Sequence, residues 1–129
     1  MKKIATLLAI ICFSSMGFAQ KGAKIEFKVQ NNTIDYGNIS KGKDNGIRTF
    51  EFTNTGDAPL IIFSVQSTSN LTILSKPKDS ILPGKTARIE IKYNMIPGPI
   101  RKTITVESNA INYDEGRIPL KIKGEVIAN

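Results

Sequence analysis

"TARIEIKYN", residues 86–94, alternates apolar and polar side chains without a break. Ala87, Ile89, Ile91 and Tyr93 fall on one side; Arg88, Glu90 and Lys92 fall on the other. A period of two is the period of a strand that rests one face on a core and wets the other. The same beat recurs in Ile25, Phe27 and Val29, in Phe50 and Phe52, and in Phe63 and Val65. Leu71 and Ile73, Ile104 and Val106, and finally Ile118, Leu120, Ile122 and Val126 continue it. Beyond residue 20 no apolar stripe has the 3.6-residue spacing of a helix. Seven strands and no helix are expected.

Turn residues separate these runs. "LPGK" at 82–85 suits a type II turn, with Pro83 fixing φ and Gly84 in the left-handed position, and "IPGP" at 96–99 repeats the device. Gly56 offers a residue free to take positive φ, and Pro59 stands where a strand can begin without the N–H it lacks. "KGKDNG" at 41–46 reads as a solvated hairpin tip, and Pro119 implies an edge position or a bulge in the last strand. Seven short strands at this spacing imply an all-β fold, a single immunoglobulin-like antiparallel β-sandwich. The cysteine–tryptophan–cysteine core of antibody domains is missing, since the chain has no tryptophan.

The N-terminus carries an address. Met1-Lys2-Lys3 is basic, "IATLLAIICF" at 4–13 is a short apolar run, and "GFA" at 17–19 puts small residues three and one before a cut. That order is a secretory signal peptide cleaved between Ala19 and Gln20. The apolar run falls well short of the roughly 20 residues that cross a bilayer. The expected organisation is therefore a signal peptide at 1–19 and one domain at 20–129, with no membrane span in the mature form. The only cysteine, Cys12, follows Ile10 and Ile11 rather than the small residue that precedes a lipidated cysteine, and it departs with the leader. The mature chain is exported without any disulfide.

Charge and chemistry exclude more than they suggest. Of 18 basic residues against 11 acidic, Lys2 and Lys3 lie in the leader, which leaves the mature chain at +5. Arg88-Glu90-Lys92 and Lys121-Lys123-Glu125 mix signs along strands, and no basic cluster is interleaved with aromatics, so solvated faces rather than nucleic-acid binding are expected. Histidine is absent, and with it the usual general base near neutral pH and the commonest transition-metal ligand. The serines lack the G-x-S-x-G and S-x-x-K settings that activate a nucleophile, and there is no glycine-rich phosphate loop. Asp114 and Glu115 supply two acids where calcium takes six to eight oxygens. No enzyme, metal or cofactor is expected.

Four stretches carry a family resemblance: "FEFTNTGDAPLIIFSVQSTSN", "ILPGKTARIEIKYN", "PGPIRKTITVESNA" and "LKIKGEV". In order and spacing they resemble the domain-of-unknown-function 1573 family over roughly residues 25–126. The resemblance implies a short exported protein of the Bacteroidetes with an immunoglobulin-like fold, akin to the Hydin and major-sperm-protein type. Members commonly carry Ser-Cys-Gly-Cys-Thr where this chain has Thr68-Ser69-Asn70-Leu71-Thr72. Ser69 and Leu71 thus take the two cysteine positions, and neither side chain supplies the thiolate that redox exchange or soft-metal ligation needs. Asp79-Ser80-Ile81 resembles the pattern that Bacteroidetes use for O-glycosylation of exported proteins, which makes Ser80 a candidate acceptor.

What remains is a non-catalytic binding or scaffolding module of the cell envelope, periplasmic or at the cell surface. Its partner is expected to be an envelope or cell-surface protein, or a second copy of the chain. The alternative is a periplasmic chaperone or pilus-type assembly factor acting by strand donation, although such chaperones generally join two sandwich domains. If successive strands alternate in direction, the connections holding Ser69–Leu71 and Asn94–Pro99 share one end of the sandwich. Leu71, Met95 and Ile96 then gather there, either as an adaptable contact patch or as a plug for the end of the core. Intact-mass measurement of the native protein should place the mature N-terminus at Gln20; a retained Met1 or a lipid mass on Cys12 would overturn the leader assignment.

Overall fold

The computed structural model describes residues 21–128. The leader, with Cys12, Ala19 and Gln20, lies outside the described residues. Eight strands form two four-stranded sheets: β1 (Ile25–Phe27), β2 (Thr33–Ser40), β3 (Ile47–Asn54), β4 (Ile62–Gln66), β5 (Leu71–Ser75), β6 (Thr86–Tyr93), β7 (Gly98–Ser108) and β8 (Arg117–Ile127). The first sheet has the order β1-β3-β6-β5 and the second β2-β8-β7-β4. The inner faces supply the expected core, in which Phe50, Phe52, Ile89, Ile91, Ile104, Val106, Ile118 and Leu120 are wholly buried. Phe27 packs edge-on to Phe50 at 6.2 Å and tilted on Phe52 at 5.2 Å.

The expected seven antiparallel strands require two corrections. β2 is an additional strand, and it runs parallel to β8, with Thr33 opposite Lys121 and Ile39 opposite Val126. β1 and β2 form one extended run that leaves the first sheet and joins the second. The crossing is made at Asn31 and Asn32, whose φ of 55° and 54° lies in the left-handed region that asparagine tolerates best among non-glycine residues. Asn32 then donates a 3.0 Å hydrogen bond to the Tyr113 hydroxyl, tying the crossing to the β7–β8 connection. Alternation concealed this strand because its register shifts between Asp35 and Asn38.

Two turn assignments also change. "KGKDNG" is no hairpin tip: it links β2 and β3, which lie in different sheets. Asp44 grips Arg48 with both oxygens, at 3.1 and 2.9 Å, and the Arg48 guanidinium lies 4.2 Å from the centre of the Tyr36 ring. The Tyr36 hydroxyl and the Tyr93 N–H both donate to the Gly46 carbonyl, at 2.8 and 3.0 Å. Burial pushes the Tyr36 phenol up to about 12, while the bonds from Arg48 and the Gly46 N–H hold the Asp44 carboxyl below its ordinary value. The corner is a fixed clasp between sheets. Gly84 does hold the left-handed position, φ 82°, in a turn closed by Lys85 N–H to Leu82 O at 3.0 Å. Gly56, however, is not at positive φ; it is glycine because a Cβ would strike the Gly22 carbonyl and the backbone of Ala23 and Lys24. Pro119 sits in the central strand β8, but β2 pairs only from Lys121 onward, so the proline lies where that strand has one neighbour.

The opposite end is organised by Asn54, which has no exposed surface. Its amide nitrogen donates to Ala58 O and Ile81 O, both at 2.8 Å, and its oxygen accepts from Gly56 N–H at 2.9 Å and Lys24 N–H at 3.3 Å. Asn109 and Asn112 repeat the device nearby, bonding Ile61 N–H and Pro59 O, and Ile25 N–H and O, respectively. Asn54→Ala orphans four backbone groups and should cost about 3 kcal/mol, read as a urea midpoint lowered by 1 M or more, about what the slope for a small domain gives. An unchanged midpoint would show that water replaces the amide without loss.

Candidate partner site at an open margin of the sandwich

The sequence-derived site residues divide. The β4–β5 and β6–β7 connections do meet at one end, where Asn94 N–H donates to Asn70 O at 2.9 Å. Leu71 and Met95 nevertheless belong to the core, 5% and 6% exposed, and only Ile96, at 43%, stands on the surface. Met95 takes a φ of 60° in this tight return. The plug reading therefore describes Leu71 and Met95, and contact with a partner at this end falls to Ile96 alone. Ser69 and Leu71, the positions that the resemblance matched to a cysteine pair, are split in the same way. Ser69 is exposed and accepts a 3.4 Å hydrogen bond from the Lys102 ammonium, whereas Leu71 is buried with its carbonyl held by the Ser67 hydroxyl at 2.9 Å. A hydroxyl beside an ammonium with no base is no activated nucleophile. Ser80 is exposed in the β5–β6 connection.

Sequence reasoning missed the feature that stands out most. β4 and β5 are the edge strands on the same side of the two sheets, so each leaves a row of backbone N–H and C=O groups without a neighbouring strand. Both edges are bulged. Phe63, expected to alternate inward with Val65, instead sits at a register shift between Ile62 and Ser64, and is 60% exposed. The shift lets Ile62 and Val65 both pack on the core, and the extra residue is turned out. A second shift, between Ile73 and Ser75, leaves Leu74 43% exposed. Between the strands runs a groove of about 470 Å³ lined by Val65, Ile73, Leu74 and Ser75, with Lys76 and Lys78 at its side. Bulges and lysines commonly guard an edge against stray pairing. An outward phenylalanine and leucine do the opposite, because they offer apolar surface where a strand would dock. The only hint in the sequence was the unbroken apolar run Leu60–Phe63, too long for strict alternation.

The opposite margin differs, because there the β1–β2 run passes from one sheet to the other. Along it lies a concavity of about 580 Å³, lined largely by polar groups including Lys28, Gln30, Asn31 and Asn112, with Glu26 as its one carboxylate. Among the described residues no three histidine, cysteine or acidic side chains cluster as metal ligands, and no helix is long and apolar enough to cross a membrane.

The class is thus an all-β, immunoglobulin-like β-sandwich, in which nothing shows catalysis. The family model for "Protein of unknown function (DUF1573)" matches residues 26–126, and the chain belongs to that family. No curated protein matches the sequence. Among solved structures the chain is similar to a protein of unknown function from Porphyromonas gingivalis W83, with 20% identity and a TM-score of 0.65. That match covers 83% of this chain and 48% of the other, so the chain spans about half the length of that relative. It is also similar to PapD-like domain 7 of human CEP192, at 12% identity and TM-score 0.54 over 82% and 87% of the two chains. The periplasmic chaperone SfaE follows at 15% and 0.52, over 81% and 58%. At such identities the likeness is one of fold.

Ile96→Glu should leave stability within about 0.5 kcal/mol, as a surface change does, whereas Met95→Glu buries a charge and should cost about 3 kcal/mol or more. Melting curves of the two single variants separate them; equal losses would return Ile96 to the core.

Proposed function

We propose that the protein is an exported, non-catalytic binding module of the cell envelope, and that it receives an extended, apolar segment of a partner protein along the β4–β5 margin. The observation that carries this reading is the pairing of two unpartnered edge strands along one apolar groove lined by Val65, Ile73 and Leu74, with Phe63 turned outward on the same edge. Backbone groups on such an edge supply affinity for any extended chain, and pockets for alternate side chains supply specificity. The leader pattern supports export. Ile96 at the end of the sandwich extends the contact surface, and Ser80, in the connection that also carries Lys76 and Lys78, is the proposed glycosylation acceptor. A strand-donating chaperone would use the same kind of edge, and the fold likeness to SfaE suits it, but the described residues form one sandwich and provide no second domain to make a cleft.

A photo-crosslinking residue at position 63 or 74, in protein expressed in its native envelope, should trap a discrete adduct. The same probe at Arg88, on the outer face of the first sheet, should not. Digestion of the adduct should map the contact to a short segment with alternating apolar residues. Adducts of equal yield from all three positions, or none from 63 and 74, would remove the margin as the binding site.

A further inference from the structure

The outer faces of the two sheets handle charge differently. On the first sheet acids are interspersed among the cations in the register: Arg88 stands opposite Glu51, which pairs with Lys28 at 3.2 Å, and Arg88 and Lys92 flank Glu90 on β6. On the second sheet the register sets cation against cation, and places an acid, Asp35, opposite Lys123 alone of the central three. Arg101 of β7 stands directly opposite Lys123 of β8, and the next outward residue of β8 is Lys121. Lys121 lies between Thr103 on one side and Thr33 on the other, and Arg101 has only Pro99 and Thr103 as outward neighbours on its own strand. Among the described residues neither Arg101 nor Lys121 has a carboxylate within ion-pair distance; Lys123 reaches Asp35 at 4.0 Å. Of the remaining acids of the face, Glu107 pairs with Arg117 at 3.5 Å, and Glu125 follows Lys123 on β8, opposite Pro99. Like charges directly opposed across a ladder are destabilising. The chain therefore holds three cations together at a cost to its own stability, in a shallow depression of about 410 Å³ floored by Thr33, Thr103 and Ile122.

We propose that this face is a docking surface for an anionic lipid headgroup layer, whose phosphates supply the negative charge the register leaves out. The shape chooses that partner. The depression is open, with no walls to enclose a small anion, and no aromatic side chain lines it for a nucleobase to stack on. The depression is ringed by Arg101, Lys102, Lys121 and Lys123, so the contact there is electrostatic and peripheral. It lies on the outer surface of the second sheet, leaving the β4–β5 groove free, and it stands whether or not that groove binds a partner.

Sedimentation of the secreted chain with vesicles tests it. Binding is expected to vesicles of phosphatidylcholine containing a third phosphatidylglycerol, and to be absent with phosphatidylcholine alone. Each basic side chain near such a surface contributes roughly fivefold to partitioning, so Arg101→Glu with Lys121→Glu should reduce it at least about 25-fold. Raising the salt should release the wild type. Arg88→Glu with Lys92→Glu changes the net charge equally on the opposite face and should retain most of the binding; melting curves confirm that both variants are folded. Equal losses in the two double variants would reduce the effect to overall charge and overturn the proposal. So would indifference of the wild type to anionic vesicles, or its displacement by millimolar inorganic phosphate, which would mark a small-anion site instead.

Discussion

A sandwich made of edges and crossings must satisfy the backbone wherever the chain changes sheets, and here the buried amide of Asn54 carries that demand. Four main-chain groups from four places (β1's approach, the turn after β3, Ala58 and Ile81) converge on one side chain. An amide has two donors and an acceptor on rigid geometry, which neither a hydroxyl nor a carboxylate matches. Because the amide is dry, each bond is strong and each loss costly. The close approach at Gly56 follows from this: the turn is drawn onto the chain at Gly22–Lys24, and only a residue without a Cβ fits. The formulaic "FTNTG" is thus the fastening of one end of the fold.

The two lateral margins are consequences of connectivity. One chain run, β1 continuing into β2, belongs to both sheets and closes the side it follows. β4 and β5 also belong to different sheets, but they are joined around the end of the sandwich at residues 67–70, so the strip between them is left open. Bulges on both strands relieve the mismatch between a twisted edge and its neighbour by pushing one residue out. Those residues are Phe63 and Leu74. An apolar residue extruded on an unpaired edge is a liability for a protein alone and an asset for one that meets a partner.

Family membership and fold agree, and neither brings a reaction with it. Ser69 and Leu71, matched by resemblance to a cysteine pair, are here an exposed serine and a buried leucine. What differs from face to face and margin to margin is the offering of backbone, apolar surface and charge, the currency of binding.

The sequence by itself determined the strands that rest one face on the core, because alternation is a local property: Phe50 and Phe52, Ile89 and Ile91, Ile104 and Val106 all turned inward as their spacing required. It determined the Gly84 turn as well, since Pro83-Gly84 closes it locally through Lys85 N–H to Leu82 O, with Asn54 of β3 only adding further bonds. Tertiary structure alone decided the rest. β2 was hidden because a parallel strand with a register shift has no clean period, and it forms only when β8 is there to receive it. Met95 and Leu71 were ambiguous between surface and core because a loop residue's burial depends on which loops meet it, and Asn70, Asn94 and Gly46 come together only in the fold. The opposition of Arg101 and Lys123 lies in the ladder register, 22 residues apart in a chain whose local charge pattern looks mixed. Phe63 lost both its expected period with Val65 and its expected face, because one bulge on an edge strand moves a side chain across the sheet.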